Sequence, residues 1–195
     1  MKTATLFTLS LLCFVFAANA QNQAVNSSKN CRVGKMLDAP EKTIEKKIVK
    51  IKKVRSLLFE AITVTNANAG ITESGLRISG TTGRNYAPLM SAYIDAVELD
   101  EFIQALDKMM VNTIDVEAPQ NNVEYKYQSH SGFWVKAYNE KKLLSKTKAW
   151  HVNVKLVEGL PQSEYLFDTD DLIDFKSAAE QAKSLLNYQV VTATK

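Results

Sequence analysis

Residues 95–102 read DAVELDEF and residues 168–175 read DTDDLIDF. Each stretch sets several acids at the point where an apolar run changes its period, and the two stand 73 positions apart. Two readings compete: a carboxylate site for metal or catalysis, or the start of two helices. A helix that begins just after Asp95 and another just after Asp168 would employ every acid. An aspartate at the cap accepts from orphan backbone N–H groups, and an acid three residues on, Glu98 or Asp171, reaches back to the cap. Asp100, Glu101, Asp170 and Asp174 then occupy first turns, where the helix dipole favours negative charge. A calcium loop would alternate oxygen ligands around a glycine, which D168-T-D-D-L-I-D lacks. Capping is the expectation.

The echo extends outward. Sliding the chain on itself by 73 residues pairs Lys53 with Lys126, Ser56 with Ser129, Asn66 with Asn139, Pro88 with Pro161, Asp95 with Asp168, Leu99 with Leu172, Phe102 with Phe175 and Ala105 with Ala178. Similar strand patterns precede both acidic blocks. Residues 57–66 (LLFEAITVTN) are apolar and β-branched, 75–80 (GLRISG) alternate, and 89–94 (LMSAYI) lead into Asp95. In the second half, 123–130, 133–138, 150–157 and the short 164–167 have the same character, after a breaker at Ala118-Pro119-Gln120-Asn121-Asn122. Residues 41–56 (EKTIEKKIVKIKKVRS) are ambiguous, since Ile44, Ile48, Ile51 and Val54 recur at three and four while V-K-I-K alternates. Leu172, Phe175, Ala179, Ala182 and Leu186 form the apolar stripe of the second helix; Leu99, Phe102, Ile103, Leu106 and Met110 form that of the first. The expected fold is α+β: two repeats of an antiparallel sheet followed by one helix, spanning 41–117 and 118–195, packed into one unit.

Strands followed by a helix, used twice, resemble PUR-type and Whirly-type domains at the level of fold. The segments YIDAVELDEFIQAL (93–106), VEYKYQSHSGFWV (123–135) and QAKSLL (181–186) resemble a set of uncharacterised bacterial exported proteins over residues 54–187. That resemblance implies export and no particular activity.

Residues 1–20, MKTATLFTLSLLCFVFAANA, have an n-region lysine, an apolar run and an A-x-A site, which predicts a signal peptide cut near Ala20 and a secreted or periplasmic protein in a bacterium. Cys13 follows Leu12, where a lipoprotein would need a small residue. Residues 21–40 are polar and aperiodic and read as a disordered leader; Asn26-Ser27-Ser28 is a glycosylation sequon with meaning only in a host that reads it. Past the signal, Cys31 is unable to form an internal disulfide and reads as a thiol in a flexible tail, with an interchain bridge as the sharper alternative. Lys+Arg number 24 against 21 Asp+Glu, a near balance that favours neither nucleic acid nor an acidic partner. The basic window from Lys42 to Arg55 reads first as a solvated face balanced by acids elsewhere, and second as a surface for an anionic polymer.

With two histidines, His130 and His151, a zinc site of the usual kinds is disfavoured, and no metal or cofactor is expected. Ser129-His130-Ser131 falls at an expected hairpin turn. The aromatics Tyr125, Tyr127, Phe133, Trp134, Tyr138 and Trp150 gather in the second sheet. Alternation forbids Phe133 and Trp134 from both facing inward, so one of this pair is the expected ligand contact. The reading is a non-catalytic binding or accessory protein for a protein or glycan ligand. A carboxylate-dependent hydrolase of glycan or another polymer, and a nucleic-acid binder by analogy of fold, are the alternatives.

Overall fold

The computed structural model describes residues 25–27, 30–39, 43–81, 89–141 and 147–193, the side chains of 25–27 and 188–193 excepted. The expected signal peptide, its cleavage site, Lys42, Pro88 and the Lys-rich turn after Lys141 lie outside these residues. The chain folds as α+β. Its elements are β1 (Val25–Ser27), α1 (Arg32–Asp38), β2 (Ile44–Val54), β3 (Leu57–Asn66), β4 (Ile71–Gly80), β5 (Met90–Asp95), α2 (Leu99–Thr113), β6 (Glu124–Gln128), β7 (Trp134–Lys141), β8 (Lys148–Lys155), β9 (Glu164–Phe167) and α3 (Asp171–Ala193). Short 3-10 turns, Ala96–Glu98 and Pro161–Ser163, precede α2 and β9.

Each half is a meander of four antiparallel strands closed by a helix. The first sheet runs β5-β4-β3-β2 and the second β6-β7-β8-β9. The short β1 adds to the first sheet, parallel to β5. No helix among the described residues is long and apolar enough to cross a membrane.

The ambiguity of residues 41–56 has a physical source. Ile44–Val54 form β2, an edge strand whose pairing with β3 slips between Lys50 and Lys52. Such a bulge shifts the alternation by one residue. Alternation alone sends Ile44 and Ile48 to one core and Val49 and Ile51 to another, and the slip brings Val54 to the second. Two faces read together imitate helical spacing. Lysine on an edge strand also discourages pairing with another chain, which accounts for Lys46, Lys47, Lys50 and Lys53 without a ligand.

One core joins both halves. It contains Leu57, Phe59, Ile78, Met90 and Ile94 of the first sheet, Val135, Ala137, Val152 and Val154 of the second, and the stripes of α2 and α3. The helices are exchanged: α3 packs across β2, β3 and β4 of the other half, and α2 packs against β6. Phe175 of α3 meets Phe59 with ring centroids 5.3 Å apart. Phe102 of α2 meets Tyr127 at 4.9 Å and Phe133 edge-on at 5.8 Å. This corrects the simplest expectation, in which each helix covers the sheet of its own repeat. Lys176–Asp107 (2.6 Å) and Lys183–Asp100 link α2 and α3 side by side and antiparallel.

Residues 25–27 and 30–38 depart from the expected leader. Val33 of α1, with Met36 and Leu37 beside it, packs on Ile62, Val64 and Tyr93, the face of the first sheet opposite the main core. A seven-residue helix has little intrinsic stability, so this packing and its cap must hold it.

Candidate functional site

The two acidic stretches share one bond and differ in everything else. Glu98 Oε2 accepts from the Asp95 N–H at 3.1 Å, and Asp171 Oδ2 accepts from the Asp168 N–H at 2.8 Å. This is the reach-back expected of a capping box, repeated at equivalent positions. Asp95, 4% exposed, completes the box on its own 3-10 turn, but its carboxylate also accepts from Arg32 N–H at 2.8 Å and Val33 N–H at 3.1 Å. These are the first amides of α1, so Asp95 caps a helix distant in sequence. The Asp168 carboxylate lies outside, paired with Arg55, which also reaches Asp171 at 2.9 Å.

Glu98 gathers a third segment. Its Oε1 accepts from the His130 N–H at 2.8 Å, and His130 Nδ1 lies 3.2 Å from the same oxygen. Ligand atoms of Asp95, Glu98 and His130 fall within 4.8 Å of one another. A hard cation there would have to displace backbone N–H donors whose positive ends already point at the carboxylates. The cluster is a junction of α1, the start of α2 and the β6–β7 turn.

Cys31 belongs to the same junction. It is the N-cap of α1, wholly buried, with Sγ accepting from Gly34 N–H at 3.2 Å. Burial, with the nearby Asp95 and Glu98 charges, pushes the thiol up to about 11. A flexible-tail thiol is therefore corrected to a buried one, which disfavours an interchain bridge. In protein beginning at Gln21, iodoacetamide at mildly alkaline pH is expected to spare Cys31 in the native state and to label it in guanidinium. Native labelling at the rate of a model thiol would mean that α1 is not docked.

The basic window meets the second acidic stretch. Lys52 Nζ lies 2.5 Å from Asp174 and Arg55 bridges Asp168 and Asp171, so α3 starts against the β2–β3 turn. Elsewhere Glu60, 3% exposed, holds Arg77 at 2.8 Å.

The side chains not consumed by the fold gather on the outer face of the second sheet. Phe133 is 1% exposed and packs on Phe102, so it is a core residue and is removed from the ligand contacts. Trp134 is half-buried and faces outward, since its neighbours Phe133 and Val135 are in the core. Along β7, Lys136 and Tyr138 share its face, with Glu124, Lys126 and Gln128 on β6, His151, Asn153 and Lys155 on β8, and Glu164 and Leu166 on β9. His151 faces outward as alternation requires, its ring 5.9 Å from that of Tyr138. Trp150 turns inward against Tyr125.

The ammonium groups of Lys126, Lys136 and Lys155 lie 5.5, 5.7 and 5.9 Å from the Trp134 ring centroid. Lys136 is also 5.0 Å from that of Tyr138. Two depressions, of about 410 and 270 Å³, share Tyr138 and Glu140; one extends to Glu124 and Lys148, the other to His151, Leu166 and Arg55. An outward aromatic row with cations and hydrogen-bonding groups beside it, the hollows at its Tyr138 end, can stack a ring and grip its substituents. Alternation pointed to one of Phe133 and Trp134; the cross-strand lysines escaped it because they are scattered along three strands. No protein-family model and no curated protein matches this chain.

Proposed function

We propose that this is an exported, non-catalytic binding protein whose glycan ligand sits on the outer face of the second sheet. The observation that carries this is Trp134: a half-buried indole on the open face, ringed by three ammonium groups, in line with Tyr138 and its two hollows. A flat aromatic face with polar neighbours is suited to stacking a sugar ring. Against hydrolysis by the two acidic stretches stands the employment of their acids: Asp95 and Glu98 hold backbone amides, and Asp168, Asp171 and Asp174 hold β2 and its turn; Glu60 likewise holds Arg77.

The test is a glycan array probed with wild type and Trp134→Ala, with mass spectrometry of any glycan retained. Wild type is expected to retain a set of glycans at unchanged mass, and the variant to lose them. Shortened glycans, or retention by the variant, would overturn the proposal.

A further inference from the structure

We infer that the ligand on this face is an acidic glycan, a polymer of uronic acid sugars, whose carboxylate lodges between Lys126 and Lys136 beside Trp134. The inference rests on the sheet-face reading above and adds the charge. Lys126 and Lys136 are directly opposite one another across β6 and β7. Like charges at such a position repel and weaken the pair. Lys136 is shared with Glu124 at 3.3 Å, whereas Lys126 is exposed and has no carboxylate partner among the described residues. Lys136 and Lys155 thus have carboxylate partners in Glu124 and Glu164 while Lys126, next to the outward indole, has none among the described residues, and an anion lodged there would relieve the repulsion.

The surroundings choose between anionic polymers. Asn153, opposite Lys136 on β8, is 6% exposed; its amide donates to Glu164, and its Oδ1 has no hydrogen-bond partner. That oxygen is shut away from solvent, so it lies out of reach of a ligand on the face. Glu124, Glu140 and Glu164 border the same face. They can accept from the free hydroxyls of a sugar ring, which a deoxynucleotide within a strand lacks. A glycan has hydroxyls on every ring and a carboxylate on each uronic acid, which fits the mixture of lysine and glutamate.

The experiment is calorimetric titration of the protein with hexamers of galacturonate and of mannuronate, a neutral glucose hexamer and a short oligothymidylate, repeated with Lys126→Gln and Trp134→Ala. Circular dichroism establishes that both variants fold. At least one acidic hexamer is expected to bind, more weakly as salt rises. Lys126→Gln is expected to weaken it roughly fivefold, the upper range for one exposed charge pair, and Trp134→Ala more than tenfold, as for a lost stacking contact. Equal binding of the neutral hexamer, with loss only in Trp134→Ala, would overturn the acidic ligand and leave the sheet-face reading standing. Tighter binding of oligothymidylate would overturn it in favour of nucleic acid. Acidic binding unaffected by either variant would overturn both. Binding of none of the probes would overturn the acidic glycan, and the array with Trp134→Ala would then decide the sheet-face reading.

Discussion

Phe175→Ala is expected to cost about 4 kcal/mol of folding stability, the usual scale for deleting a buried aromatic ring. Phe175 is 1% exposed, 5.3 Å from the Phe59 ring and 4.9 Å from that of Phe167, so one side chain joins α3 to both sheets. Partial collapse of the cavity would need both sheets to move. Since each kcal/mol shifts the midpoint by roughly 3 °C in a domain of this size, the thermal transition should fall by roughly 12 °C. Ile173→Ala, on the same helix but 50% exposed, is the control and should change stability by no more than about 0.5 kcal/mol. If thermal melts of the two variants coincide, α3 is not seated between the sheets as described.

The second large effect separates the paired acids. Asp95→Ala should lose about 3 kcal/mol, because it strands the Arg32 and Val33 N–H groups and removes the capping box, and an unpaired buried donor costs about 1–3 kcal/mol. Asp168→Ala removes an exposed pair with Arg55 and should cost under about 1 kcal/mol. Denaturant titration gives both values. Amide hydrogen exchange should accelerate at Arg32 and Val33 in the first variant alone. Equal losses would show that Asp95 merely caps its own turn.

That asymmetry marks the limit of legibility in the repeat. The strand-to-helix junctions, the reach-back of Glu98 and Asp171, and seven of the eight meander strands were readable because each rests on local spacing, period two in strands and three to four in helices. Residues 41–56 were ambiguous for an equally local reason: β2 carries apolar residues on both faces, and the bulge turns Val54 to the face of Val49. The Cys31 segment looked like a leader because a short polar helix has no periodic signal of its own; its order comes from Asp95, more than sixty positions away.

The candidate site divides along the same line. Alternation separated Phe133 from Trp134 but left open which pointed outward, because both are aromatic and a one-residue slip exchanges the faces. Register decided it, and register also set Lys126 against Lys136 and Asn153 in one cross-strand row. By itself the sequence determined an α+β chain with two sheet-then-helix repeats, and acids suited to helix starts. The tertiary structure decided that the helices exchange sheets, that Asp95 caps α1, and that Trp134 stands among lysines from three strands. Those outcomes depend on groups meeting through space, and neither period nor composition records which distant segment supplies the partner.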